Sequence, residues 1–290
     1  MKYYQVNSDL PYLNLGCGYR FDSQWTNVNF QTTGKGVMTY DLAKGIPFAD
    51  NTFELVYHSH VLEHFSQPAA KSFMQECCRV LRPGGILRAV VPDLEQITKL
   101  YLTSLAGAYE SAEWAAKYEW ITLELLDQMV RNRRGGEMAT YLAQGAIRSQ
   151  EFVMERFGAE AINFQQPLQS DFPRKLLGKQ IKELRGIVSQ LLPKGLLPKP
   201  LERLYTALKI GYYRQNGEVH QWMYDRYSLS ILLKNCGLEQ VVQRTAKDSY
   251  VDNWASFNLD TEADGTTYKP DSLFMEAVKP LTLDTVHRSL

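Results

Sequence analysis

Apolar positions along this chain follow two different rhythms. In the first hundred residues, short apolar runs are separated by polar turns, and Tyr12 to Leu15, Thr26 to Phe30, Phe53 to Tyr57 and Ile86 to Val91 read as strands. The last of these is nearly unbroken in apolar character, as expected of a central strand covered on both faces. Phe73, Met74, Cys77, Val80 and Leu81 recur at helical spacing, which predicts a helix over 69–81 that Pro83-Gly84-Gly85 stops. The link between the first two strands is short for a full crossover helix, so any helix there is expected to be abbreviated or irregular.

From Ile97 to about Tyr213 the rhythm becomes helical, far longer than the two to six residues of an ordinary loop inside a sheet. Tyr118, Ile121, Leu125 and Met129 form one apolar stripe, and Glu124, Asp127 and Arg131 share a polar face read as solvated. Arg133-Arg134-Gly135-Gly136 ends that helix. Ile181, Leu184, Val188 and Leu191 give a second stripe, and Leu201, Leu204, Tyr205, Leu208 and Tyr212 a third. The pattern then returns to mixed character: Ser228 is the expected N-cap of a helix closed by Gly237. Leu238 to Thr245 and Leu273 to Val278 read as the last two strands. The chain therefore divides into a core of 1–96 and 216–290 and an inserted helical lid of 97–215, which roofs the cleft together with a loop from Asp248 to Asp271 that passes Trp254.

Composition narrows the function classes. Lys plus Arg and Asp plus Glu both number 32 in 290 residues, and 44% of residues are apolar. Balanced charge argues against a duplex-binding surface, which needs excess cations, so no nucleic-acid partner is expected. No apolar run is long enough for stable membrane insertion, and the first residues carry no basic-then-apolar export signal, so a cytoplasmic location is expected. Cys17, Cys77, Cys78 and Cys236 show no paired metal spacing and are expected to be reduced and mostly buried.

The chemistry-bearing motifs come in order. Leu13-Asn14-Leu15-Gly16-Cys17-Gly18 ends the first strand in two spaced glycines, which let a backbone approach a ligand closely. Asp41-Leu42 follows, then Ile46-Pro47-Phe48 with the acidic turn before Phe53-Glu54-Leu55-Val56, then Val61-Leu62-Glu63-His64, then Arg79-Val80-Leu81-Arg82-Pro83-Gly84-Gly85. This series resembles the class I S-adenosylmethionine-dependent methyltransferases, closely over 11–92 and loosely over 217–280. The resemblance implies a Rossmann-like α/β fold: a seven-stranded, mostly parallel sheet with a reversed pair at one edge. It also implies S-adenosyl-L-methionine as cofactor.

By that resemblance, Asn14, Gly16, Cys17 and Gly18 lie under the methionine and ribose portions, and Asn29 contacts ribose. Asp41 accepts from the adenine amino group beside the Leu42 backbone, and His58 lines the methyl site. Two positions depart from the family, which often has acids where this chain has Asn14 and Asn29; Asn retains an acceptor oxygen without charge attraction. His58, His60, His64, Asp93 and His220 are the candidate acid–base or orienting groups, Asp93 and Glu95 equally readable as the cap and first-turn acid of the next helix. No metal is the primary reading; the alternative is a divalent ion on His60, Glu63 and His64, since some ubiquinone-pathway and RNA-end relatives use Glu-x-x-Glu-His there.

The reading is a methyltransferase acting on a small-molecule acceptor, most readily at oxygen, in glycan or secondary-metabolite assembly. The competing readings are a metal-assisted enzyme on a diol or nucleic-acid end, a cofactor-binding scaffold without catalysis, and a membrane-surface protein using Lys194 to Arg214. The sequence does not fix the oligomeric state.

Overall fold

The computed structural model describes residues 11–144, 149–158 and 199–281. Seven strands form one sheet: β1 (Tyr12–Leu15), β2 (Thr26–Asn29), β3 (Val37–Thr39), β4 (Phe53–Ser59), β5 (Leu81–Pro92), β6 (Glu239–Arg244) and β7 (Ser272–Val278). Their order is β3-β2-β1-β4-β5-β7-β6, with β7 alone antiparallel, inserted between β5 and β6. This is the α/β architecture the resemblance implies, and the strand order reverses between β1 and β4, where doubly wound sheets bind ligands.

Alternation along β4 sorts its side chains. Phe53 and Val56 enter the core beneath α1 (Gln67–Val80) and α7 (Arg226–Asn235), with Leu13, Leu15, Phe73, Met74, Leu229 and Leu233. Leu55 and Tyr57 point to the opposite face. No helix occupies 16–25 or 30–36, so the β1–β2 and β2–β3 links leave that second face without crossover helices. Aromatic rings from distant parts of the chain cover it instead. Trp25 meets Tyr12 and Phe257 at centroid distances of 5.1 Å each, and Trp254 stands 5.3 Å from Tyr57.

The segment 245–271 that carries Trp254 and Phe257 is fixed by a buried polar knot. Arg88 of β5, wholly buried, donates to Asp260 at 2.7 Å and to Glu276 of β7 at 2.8 Å, and Tyr57 donates to Asp260 at 2.6 Å. Trp254 Nε1 donates to the same carboxylate at 3.1 Å. The expectation that the loop near Trp254 roofs the cleft is therefore corrected: Trp254 lies on the sheet face, 2% exposed.

After β5 come α2 (Leu94–Gly107) and α3 (Ala112–Val130), packed side by side, then α4 (Gly136–Leu142), α5 (Gln150–Phe157) and α6 (Lys199–Arg214). Ile121, Leu125 and Met129 pack against Ile97 and Met223, as their stripe predicts. The polar face does not stay solvated. Glu124 and Asp127 are buried: Glu124 pairs with Arg156 of α5, and Asp127 accepts from the backbone of Glu137 at 2.8 Å and so caps α4.

Three local readings also change. Pro83-Gly84-Gly85 does not separate helix from strand, because β5 begins at Leu81 and runs through it with a register shift opposite Phe53 and Leu55. Asp225, not Ser228, is the N-cap of α7, with Ser228 returning the bond in a capping box. The stripe from Ile181 to Leu191 lies outside the described residues.

Candidate functional site

The carboxyl ends of β1, β2, β3 and β4 converge on one edge. At β1 the chain turns through Gly16 and Gly18, both left-handed at φ 66° and 53°. Gly16 and Cys17 donate backbone bonds to Val28 of β2 at 2.8 and 3.1 Å, and Asn14 Nδ2 holds the turn from below through the Arg20 carbonyl at 3.1 Å. A Cβ at Gly16 would meet Val61 Cγ2 at 2.3 Å, whereas a Cβ at Gly18 meets nothing within 4 Å. Gly16 thus serves close packing, and Gly18 opens onto free space. Cys17 is buried, its thiol pushed up to about 11 by burial, so it stays protonated and unreactive at neutral pH.

Asn29 donates Nδ2 to the Gln31 carbonyl at 2.9 Å, and its Oδ1 makes no hydrogen bond among the described residues. Asp41 caps the short turn Leu42–Lys44 by accepting from Ala43 N at 3.1 Å, with Lys44 at 3.5 Å. A carboxylate so placed still has acceptor capacity for another donor. Leu42 packs on the edge of the main core. An open backbone at Gly18, a ribose-type acceptor at Asn29 and an adenine-type acceptor at Asp41 fit a nucleoside-bearing ligand laid across these strand ends.

The histidines at the end of β4 separate into different settings. His58 is fully buried against Phe73 at 5.4 Å, neither ring nitrogen has a hydrogen-bond partner, and burial lowers it to about 3. That packing takes it under the sheet rather than into the cleft, which corrects its expected place at the methyl group. His60 follows in the left-handed region at φ 53°, where a side chain other than Gly or Asn is strained. Its Nε2 meets Ser272 Oγ at 2.8 Å and its Nδ1 lies 3.4 Å from Glu63 Oε1. Burial first, then the charges of Lys269, His220 and His64, hold it well below the usual imidazole range, so it is neutral at pH 7.

His64 and His220 meet edge to face at 4.8 Å. The irregular segment 218–224 brings His220 in: the His220 backbone N donates to the Gln128 carbonyl of α3 at 3.0 Å, and Gln221 N donates to the Glu63 carbonyl at 2.6 Å. Glu63, His64 and His220 therefore cluster, their ligand-type atoms all within 4.8 Å of one another. The set brought together is not the expected His60, Glu63 and His64. Asp93 caps α2 through Gln96 N at 3.1 Å and is raised by burial, while Glu95 turns outward to Lys99 at 2.6 Å and Arg226 at 2.8 Å.

Two contributors carry no local signal in the sequence. Ser272, the partner of His60, is 212 positions away. Arg20 ties the glycine turn to the 245–271 segment, bonding Glu262 at 3.0 Å and the Thr261 carbonyl at 2.9 Å and stacking on Tyr268 at 3.7 Å. A separate open groove of about 810 Å³ lies between Gln243 and Ser256 beside the outer strand β6 and shares no residue with this edge.

Comparison with known proteins follows the same lines. The methyltransferase domain family matches residues 23–89. The ubiquinone biosynthesis O-methyltransferase of Parvibaculum lavamentivorans is 25% identical over 113 residues, 38% of this chain and 40% of that protein. An uncharacterised Escherichia coli protein, YafE, is 27% identical over 114 residues, 35% of this chain and 53% of that one. Both matches thus span only about half or less of the relatives' length. A crystal structure of an S-adenosylmethionine-dependent methyltransferase from Archaeoglobus fulgidus superposes with a TM-score of 0.37 at 11% identity, covering 92% of this chain and 85% of that one. The matched residues 23–89 run from β2 into β5 of the sheet, across the point where the strand order reverses.

Proposed function

We propose that this protein is an S-adenosylmethionine-dependent methyltransferase acting on an oxygen of a small-molecule acceptor in glycan or secondary-metabolite biosynthesis, in the cytoplasm. The observation that carries the reading is the strand-end constellation of Gly16, Gly18, Asn29 and Asp41 at the point where sheet order reverses. The oxygen acceptor is supported by the Parvibaculum relative, an O-methyltransferase by name. Among the described residues, no helix is long and apolar enough to cross a membrane.

When bound, S-adenosylmethionine supplies an electrophilic methyl group on a sulfonium. The chain's part is to hold, orient and exclude water. Gly18 admits the ligand closely, Asn29 accepts from hydroxyls, and Asp41 accepts from an exocyclic amine. Helices α3 to α5 and most of α2 fall within the 97–215 lid, which on this reading limits which acceptors enter. His60, just past β4 and neutral at pH 7, would be the residue that takes a proton from the acceptor hydroxyl.

Calorimetry with S-adenosylmethionine and its demethylated product tests this. Saturable binding is expected, and Asp41→Ala should weaken it at least about tenfold while costing stability only the ~1 kcal/mol of a lost cap. Absence of binding to the wild-type protein refutes the cofactor; unchanged affinity in Asp41→Ala refutes the adenine assignment. Binding without transfer to any acceptor supports the non-catalytic scaffold instead.

A further inference from the structure

We propose that Glu63, His64 and His220 form a binding site for a divalent first-row transition-metal ion. Among the described residues this is the one group of three ligand-type side chains in mutual reach, its ligand atoms all within 4.8 Å. A tetrahedral ion with bonds of about 2.1 Å sets its ligands roughly 3.4 Å apart, so small rotamer adjustments of the two rings close the set. Two imidazoles and one carboxylate suit zinc, manganese, cobalt or iron(II), and disfavour magnesium and calcium, which prefer all-oxygen sets.

A second observation points to a ligand. His220 is 5% exposed, and its Nδ1 is buried with no hydrogen-bond partner; Nδ1 of His64 is in the same condition. Buried polar atoms without partners are rare because each costs the desolvation of that group. The His64 ring is also held by the Val219 carbonyl, and an N–H donated there leaves a lone pair on the opposite nitrogen. His60 is not counted as a ligand. Its Nε2 is engaged by Ser272, and its Nδ1 faces Glu63, so it positions that carboxylate.

The proposal stands apart from the methyl-transfer reading, and its test does not need a turnover assay. Untagged protein, stripped with chelator, is titrated with ZnCl₂ by calorimetry at pH 7.5, and separately with CoCl₂ by visible absorption. One site per chain with Kd of about 1 µM or tighter is expected, with a rise in melting temperature and Co²⁺ bands of an imidazole–carboxylate set. His64→Ala and His220→Ala should each weaken Zn²⁺ at least ~100-fold and abolish the bands. Melting curves of the stripped variants identify any that fail to fold. No saturable binding by the wild-type protein, or undiminished affinity in folded His64→Ala and His220→Ala, overturns the proposal. Binding of the demethylated cofactor product, measured on the same stripped protein, shows whether the methyltransferase reading stands or falls independently.

Discussion

The two glycines of the first turn make opposite predictions from nearly identical backbones. Both sit in the left-handed region, where any Cβ costs roughly 1–2 kcal/mol. At Gly16 the added methyl also lands 2.3 Å from Val61 Cγ2, an overlap that forces a shift and adds about 1–3 kcal/mol. Gly16→Ala should therefore lose about 2–5 kcal/mol and Gly18→Ala about 1–2 kcal/mol. Ligand affinity should reverse the ranking per unit of damage: Gly18→Ala keeps the fold yet projects its methyl into the space assigned to the cofactor. Urea unfolding measures the first quantity and calorimetry with the demethylated cofactor product the second. Val61→Ala supplies the decisive comparison, since it removes the atom that Gly16→Ala strikes. The double variant should recover at least about 1 kcal/mol relative to the sum of the singles, a coupling expected only for residues in contact. Additivity within about 0.5 kcal/mol, or a Gly18→Ala protein that binds the product as the wild type does, would refute this geometry of the turn.

His58 is buried without a polar partner and lowered to about 3, so the unfolded chain binds a proton below pH 6.5 that the folded chain does not. Stability linked to this group is complete above pH 6.5 and falls by about 1.4 kcal/mol per pH unit as pH drops toward 3. His58→Leu should remove about 2 kcal/mol from the stability difference between pH 7 and pH 5; identical profiles would show that His58 finds a partner in solution. Arg88→Met should cost about 3–5 kcal/mol, because it takes from the buried Asp260 its ion-pair partner and leaves Glu276 to Arg244. Denaturant unfolding with a loss below about 1 kcal/mol would mean that water reaches this knot.

Elements governed by their own side chains are legible in the sequence. Strands β1, β2 and β4, the helix over Phe73 to Val80 and the α3 stripe follow from periods of two and 3.6, which depend only on neighbours. β3 carries three residues, too few for a period to register. The site was legible only in part. Gly16 and Gly18 are legible as a turn because turn chemistry is local, whereas the role given to Asp41 rests on the family resemblance. The partner of His64 was not, because His220 arrives from the far side of the helical insertion. The same reason misplaced the Glu124–Asp127 face: the arginine and backbone amides that bury it come from α5 and α4, which no spacing rule on α3 reveals. Pro83-Gly84-Gly85 read as a stop because its composition matches a turn, yet the register shift lets β5 carry it as an irregularity within the ladder.

The bare second face of the sheet has a consequence for biosynthesis. Trp25 and Tyr57 leave the ribosome well before Trp254, Phe257 and the Asp260 anchor that shelter them, Asp260 lying 203 positions after Tyr57. Until those later residues emerge, a nascent chain presents an aromatic surface with no covering of its own, and such surfaces associate readily with one another. Truncations that end before 245 should accordingly be insoluble or chaperone-bound even though most of the parallel strands are already complete.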